Sequence, residues 1–494
     1  VPDTTSDQIA RLSSVTLLTM KIVFVVASII HLIVYRSVEP VLVAIGLMLI
    51  GHIIFRNSAS WEEGEERTTF MVIFISGFFW AGVTALFVKI FNDPILTSSD
   101  AAWFYKLATD FHEEVTLHEM RSITTGAVHI YAWRLLYMCL SAVGFHQGVY
   151  VGTAFNTFLV AVAGVVGVKT VAVIFLDHVR IKRRVTVIIA TCAMFWIFSS
   201  IMIRDSSVLL INSLLIYFWA RCLVKKDWAS FAKTMVAGAV AQFLYLNLRA
   251  EFILVPAALA FAALFSLILL NKISKKSGIF NKDFAVKILV SLLSTILTQV
   301  MVFKATGLDI IDLVQSSSSQ YIINATSNVS MEAGSTKSPS LGIRYITSQP
   351  LLIRATIGSY YVNVFPVPFW NGFVNGEIYQ IFKSINAIFM WFIIPLAMLG
   401  LYEAVRQYSV QQRLGSVFLV VVYLGFTVGV AVTSLETRHL ASFFMPLLIL
   451  AGVPNFDYRP TKIRFFKMFG VWAILIVLLH LAWYGLKHMQ LGLS

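Results

Sequence analysis

The chain has 494 residues, of which 58% are hydrophobic and only 13% charged, with a mean hydropathy of +0.80. Those values lie outside the range of soluble globular domains and fall where a membrane protein is expected. The net charge of +13 would suit a nucleic-acid binder, but the basic residues stand in short loops between apolar runs, and that pattern reports membrane topology.

Apolar runs of about 17–25 residues, the length a helix needs to cross a bilayer core, recur along the sequence. They lie near 15–36, 39–55, 69–91, 148–168, 185–203, 207–223, 229–247, 252–271, 286–304, 384–404, 415–434, 439–453 and 468–486. The sequence therefore predicts an all-α integral membrane protein of about 13 transmembrane helices, those at 39–55 and 439–453 being short. It divides into two N-terminal spans and a loop (1–68), a membrane core (69–304), a long outer loop (305–383) and C-terminal spans (384–494). The core contains a first outer loop, 92–147. No basic stretch followed by a short apolar run and a small-residue cleavage site opens the sequence, so no removable signal is expected. Cys139, Cys192 and Cys222 fall in apolar segments without zinc or disulfide spacing and read as core residues.

The segment 126–144 is apolar enough to cross, yet it carries His129 near its start and Arg134 at its centre. Were it to cross, every later loop would change sides. The basic clusters at 180–184, 221–226, 272–282, 406–413 and 459–467 would then face outward, against the positive-inside rule. It is read instead as an amphipathic helix at the outer interface of the first long loop. With that topology the N-terminus is cytoplasmic, the cytoplasmic loops hold the basic excess, and the outer side keeps a balanced set of charges. The second long loop contains a polar stretch from Gln315 to Gln320, another from Asn324 to Pro339, and an aromatic run from Tyr360 to Trp370 expected to pack against the membrane surface. Loops of this length are usually functional. Asn324 and Asn328 fit the glycan-acceptor pattern, which matters only in a eukaryotic secretory setting. No internal repeat is evident, which counts against transporters built on inverted repeats.

Ionisable residues beside spans are costly and tend to be functional or paired, and here they line up on the outer side. Asp100 lies in the first long loop, close to Tyr105 and Lys106. Arg204 and Asp205 share one tight outer turn, Arg249 and Glu251 a second, and Glu436, Arg438 and His439 a third. Each has a plainer reading. Asp205 and Asp100 could cap the helices that follow them, Arg249 and Arg438 could snorkel to the headgroups, and His439 could be structural. His112, His118, His129 and His146 lack metal-ligand spacing and read as solvated or interfacial. The coincidence of several pairs on one surface favours a function. Guanidinium groups present a fork that fits phosphate oxygens, and a carboxylate can deprotonate an attacking sugar hydroxyl or hold a metal on the phosphate. Arg249, Arg438 and Lys106 are suitable cations, and Asp100 is the best base.

At these residues the chain resembles the polyprenyl-phosphate-sugar-dependent glycosyltransferases of the GT-C superfamily, in particular bacterial relatives of protein O-mannosyltransferases and aminoarabinose transferases. The resemblance covers 70–455 and rests on the order of features. Asp100, Tyr105 and Ala108 come first, then Thr125 with Gly126 and the segment Leu135 to Gly144. Arg204 with Asp205, Arg249 with Glu251, and Arg438 with His439 leading to Pro446 follow. It implies that Asp100 takes the place of the first-loop catalytic carboxylate and that Arg249 and Arg438, with Lys106 and Arg204, lie near the lipid phosphate. Asp205, Glu251, Glu436, His439 and Tyr105 would support them. The chain departs from the family in having two serines before Asp100 where many members carry a paired acidic motif, two extra initial spans, and no soluble C-terminal domain. No cofactor is implied beyond, at most, a divalent metal.

The expected function is an inverting transferase in a bacterial inner membrane. It would move a sugar or glycan from a polyprenyl-linked donor to a lipid-linked or surface glycan acceptor on the outer face, with membrane lipids and no nucleic acid as partners. An O-antigen or exopolysaccharide polymerase is the alternative, with Arg344 and Arg354 of the long loop serving a bulky substrate. A transporter or lipid flippase is a further alternative, which predicts charges and broken helices near the bilayer midplane.

Overall fold

The computed structural model describes residues 4–56, 65–93, 100–110, 120, 126–176, 178–273, 346 and 349–491, with most of 286–300. The helices in order are α1 (Thr4–Tyr35), α2 (Glu39–Ile54), α3 (Glu65–Phe91), α4 (Asp100–Thr109), α5 (Ala127–Ala142) and α6 (Val149–Phe175). Then come α7 (Val179–Ala190), α8 (Ala193–Ser200), α9 (Asp205–Lys225), α10 (Trp228–Leu248), a 3-10 turn (Ala250–Leu254) and α11 (Val255–Ile273). After 349 follow α12 (Leu351–Val364), α13 (Asn371–Asn375), α14 (Ile378–Gln407), α15 (Val410–Thr433), α16 (Thr437–Ala441), α17 (Met445–Ala451) and α18 (Arg459–Leu491). Among the described residues there is no strand, and nine helices are long and apolar enough to cross a membrane: α1, α3, α6, α9, α10, α11, α14, α15 and α18. This is an all-α, multi-pass architecture.

Helix α6 is the axis of the bundle, packed against α2, α3, α8 and α9. It is apolar all round, as a helix enclosed by others must be. Small residues such as Ala154, Ala161 and Ala163 are wholly buried and let neighbours approach, which matters where lipid removes the hydrophobic drive between helices. Its inward hydroxyls are satisfied locally: Thr157 and Thr170 donate to the Thr153 and Val166 carbonyls one turn back, at 2.8 and 3.0 Å. Helices α1 and α18 have only 11% of their apolar windows buried, which places them at the rim. Helix α14 passes α17 so closely that a methyl on Gly400 would run into the Leu450 carbonyl.

Two of the predicted spans are broken. The run 185–203 is α7 and α8, interrupted at Thr191 and Cys192. The carbonyl this break frees, that of Ala190, accepts from Ser76 Oγ at 2.7 Å and from Trp196 Nε1 at 2.8 Å. Broken backbone inside a membrane persists only when neighbours supply such partners. The run 439–453 is α16 and α17, interrupted at 442–444. There the Ser442 carbonyl accepts from Asn212 Nδ2 at 3.2 Å, and Phe443 stacks on Phe426 with ring centroids 3.6 Å apart. The predicted span 286–304 falls partly outside the described residues.

The aromatic run beginning at Tyr360 packs largely on protein. Helix α12 lies along α15 and buries Tyr361, Val362 and Val364, while Trp370 stays half exposed. The expected interfacial helix 126–144 is α5, but its polar residues do not face headgroups. Both His129 and Arg134 are buried where α5 meets α4, α6 and α10.

Candidate functional site

One end of the bundle gathers the charges that the sequence placed in separate turns. Asn156 of α6 donates to the carbonyls of Ile201 (2.8 Å) and Ile203 (3.1 Å), pinning the extended segment that leads into α9. Asp205 is the first residue of α9, and Arg204 is the N-cap. The Arg204 side chain makes no capping hydrogen bond, and Asp205 Oδ1 is buried without a hydrogen bond among the described residues. Helix α10 stops at Leu248, and Arg249 follows in extended backbone before the 3-10 turn. Helix α15 ends in a left-handed Leu435 (φ 52°), whose N–H and that of Ser434 both bond the Val430 carbonyl at 2.9 and 3.1 Å. That turn aims Glu436 and α16 back over the end of α9.

The result is one carboxylate between two guanidinium groups. Arg249 Nη1 stands 3.5 Å from Asp205 Oδ1, and Arg438 Nε stands 3.9 Å from Asp205 Oδ2. Arg249 Nε is also 3.7 Å from Glu251 Oε1. The Asp205 and Arg249 side chains are 2% and 3% exposed, so neither arginine snorkelling nor simple helix capping describes them. All three separations exceed hydrogen-bond length. Among the described residues, Arg249 Nε and Nη1, Arg438 Nε, Asp205 Oδ1, Ser206 Oγ and Thr437 Oγ1 are buried without a hydrogen bond. An unmet buried polar atom costs about 1–3 kcal/mol. Those on Asp205, Arg249 and Arg438 lie together and describe a place where water or the oxygens of a polar ligand belong.

A second set adjoins the first. Lys383, in the second turn of α14, pairs with Glu436 at 2.9 Å, and the Tyr379 hydroxyl donates to the same Oε1 at 3.1 Å. The ammonium is buried and lies over the rings of Tyr379 (4.3 Å) and Phe365 (5.2 Å). Enclosure alone would raise the Glu436 carboxyl, but Lys383 and then Arg438 outweigh it and bring the carboxyl down to about 2. Enclosure would likewise lower the Arg438 guanidinium, while Asp205, then Tyr379, Glu436 and Asp100, hold it above its ordinary value. Asp100 thus stands within electrostatic reach of Arg438, exposed at the first residue of α4.

The other expected residues divide. The Arg204 guanidinium lies over the Phe104 ring at 5.9 Å, and its Cδ would be 3.4 Å from a methyl on Gly126, so it joins α4 and α5 to this end. His439 is buried, with Nδ1 2.9 Å from Ser434 Oγ. The Tyr105 hydroxyl donates to the Gln147 carbonyl instead of facing the arginines. Lys106 is exposed on α4. Arg354 sits on α12 with Nε and Nη2 buried and unbonded among the described residues, and no ion pair joins it to Asp205. Arg344, His112 and His118 lie outside the described residues. His129 corrects the solvated reading: it is buried, with Nδ1 2.5 Å from Ser207 Oγ and Nε2 3.0 Å from Asn156 Oδ1. His146 is exposed and meets Glu39 at 2.9 Å. Among the described residues no group of three or more His, Cys, Asp or Glu converges as a metal site.

No family model matches the chain, and no curated protein matches it.

Proposed function

We propose that this end of the bundle binds the phosphate of a polyprenyl-linked sugar and that the protein is a membrane glycosyltransferase. The observation that carries the reading is the pair Arg249 and Arg438, brought from distant turns to one buried carboxylate with guanidinium N–H groups left unbonded. A phosphate between them would accept from donors that Asp205 holds in place but does not consume. In the reaction, Asp100 takes the proton of an acceptor hydroxyl, and that oxygen bonds to the anomeric carbon. The bond from that carbon to the phosphate oxygen breaks, and the lipid phosphate leaves against the two arginines. Lys383 and Glu436 flank the same place.

In this reading α2, the broken runs α7–α8 and α16–α17, and the expected run near 286–304 cross the membrane besides the nine long helices, giving about 13 spans. The N-terminus is cytoplasmic, the Asp205 end is extracytoplasmic, and the membrane is a bacterial inner membrane. The acceptor is a surface glycan or a lipid-linked one.

A second reading is a transporter or flippase of the same lipid-linked substrate. The broken helices favour it, since discontinuous spans line substrate paths in transporters. The charges favour the enzyme, because they collect at one end. Deleting the gene and examining the surface polysaccharide by gel ladder and mass spectrometry separates the cases. Loss of one decoration is the expected result. Collapse to a single repeat unit would indicate a polymerase, and intracellular build-up of intact lipid-linked glycan a transporter. An unchanged glycan contradicts all three.

A further inference from the structure

Helices α9 and α10 form a hairpin clasped by two side-chain hydrogen bonds. Near its turn, Thr234 Oγ1 of α10 donates to the Phe218 carbonyl of α9 at 3.1 Å. Near the arginine cluster, the Tyr245 hydroxyl donates to Asn212 Oδ1 at 2.5 Å. Along the hairpin, from Arg221 and Lys233 near the turn to Ile211 and Leu244, runs a cavity of about 720 Å³, within the roughly 300–1,000 Å³ typical of sites for one small ligand. Its cause is legible in α10, where Ala232, Ala237 and Ala241 present no bulk to the facing Leu214 and Phe218. Val236 and Val240 line it while 64% and 53% exposed, so the groove opens sideways, toward lipid in a membrane.

The lining is apolar except near the turn, where Arg221 and Lys233 border it. Arg221 Nη1 donates to the Tyr217 hydroxyl at 3.1 Å, and its Nε is buried without a hydrogen bond among the described residues. Lys225 and Lys226 add positive charge at the same turn. The acid there, Asp227, is engaged by the Ser230 N–H at 2.5 Å. An apolar channel with a cationic mouth at one end matches one chemistry, an acyl chain carrying an anionic headgroup. Basic pockets between membrane helices bind anionic phospholipids on these terms.

We propose that the α9–α10 groove holds an anionic glycerophospholipid of the leaflet at the basic end. One acyl chain lies between Phe218 and Val236, and the phosphate sits on Arg221 and Lys233. This site is separate from the Asp205 cluster, which lies beyond the Tyr245–Asn212 clasp, and stands whether or not the proposed reaction does. Because α9 begins with Asp205 and α10 ends just before Arg249, a lipid wedged between them also fixes the spacing of those two residues.

Native mass spectrometry of the full chain, released from nanodiscs of equal phosphatidylglycerol and phosphatidylcholine, tests this. One phosphatidylglycerol per chain should be retained, in marked preference to phosphatidylcholine. The double variant Arg221→Ala/Lys233→Ala should lose it by about twenty-five-fold, the product of roughly fivefold for each basic group near a headgroup. Ala237→Trp, which fills the channel and leaves the charges, should lose it too. Arg464→Ala/Lys467→Ala, basic residues remote from the groove, should not. Equal retention of both lipids, or retention unchanged in the double variant, overturns the proposal. So does displacement of phosphatidylglycerol by added polyprenyl phosphate that stays bound in Arg221→Ala/Lys233→Ala, since the groove would then hold that lipid's tail. Should Ala237→Trp not fold, the two surface double variants decide.

Discussion

At one end of the bundle Asp205 lies between two arginines with 2% of its side chain exposed. At the other, Asp457 meets Arg180 at 2.8 Å with 75% and 76% of the two side chains in solvent. The exposed pair has good geometry and little worth, because water screens it. Where the basic end buries Glu403, the carboxylate is bonded, accepting from Thr461 Oγ1 at 2.6 Å and from the Asn455 N–H at 3.2 Å. Around Asp205 the charges are enclosed yet held at 3.5 and 3.9 Å, too far for hydrogen bonds. Enclosing charges without joining them is a poor way to stabilise a fold. It is a good way to keep donors ready for a ligand.

This contrast can be broken by substitution. Asp205→Asn should have the largest effect, leaving two guanidinium groups enclosed without their carboxylate at a cost of about 3 kcal/mol or more. The unfolding midpoint in detergent measures it, and a variant as stable as the parent would mean that the arginines are held by other contacts. Next is Asp100→Asn. It lies exposed, so folding should be untouched while glycosyl transfer falls about a hundredfold, the usual worth of a general base. Near-normal turnover would reduce Asp100 to an ordinary helix-start carboxylate.

Lys383→Met sharpens the comparison within the site. It frees Glu436 to turn on Arg438 and compete with phosphate, so KM for the donor should rise about tenfold, close to the worth of one charge-assisted hydrogen bond. Adding Glu436→Gln should restore much of it. If the double variant is as weak as the single, Lys383 acts directly on substrate. The smallest effect belongs to the other end: Arg180→Ala should change stability by less than about 1 kcal/mol and leave transfer alone.

Much of the fold was legible because membrane helices announce themselves by composition. Helices α3, α9, α10, α14 and α18 each contain the expected run. Their ends were less visible, and α14 begins at Ile378, so that Lys383 lies on a helix although the sequence left it in the long loop. The breaks were hidden for a different reason. Proline is a poor guide here: Pro395 lies inside the continuous α14, while α7 and α8 part at Thr191 and Cys192 without one. What permits that break is Ser76 and Trp196, and Ser76 is more than a hundred residues away. Pro446 stands in the first turn of α17, just after the other break. The grouping of Arg204, Asp205, Arg249, Glu436, Arg438 and His439 followed from topology alone. That Asp205 lies between Arg249 and Arg438 did not, since no local pattern encodes which turn tips meet. His129 shows the same gap: its partners Asn156 and Ser207 lie on α6 and α9, and nothing near it in sequence predicts burial.

The central claim is that Arg249 and Arg438 hold one phosphate together. The direct measurement is binding of a polyprenyl-phosphate sugar to the nanodisc-embedded protein, comparing Arg249→Lys, Arg438→Lys and the double variant. A two-oxygen fork cannot be replaced by an ammonium, so each single variant should lose nearly as much affinity as the corresponding alanine. The double should lose little more than either, because groups acting as a unit do not add. Parental affinity in either lysine variant, or losses that simply sum, would contradict a shared phosphate and leave these arginines as structural charges.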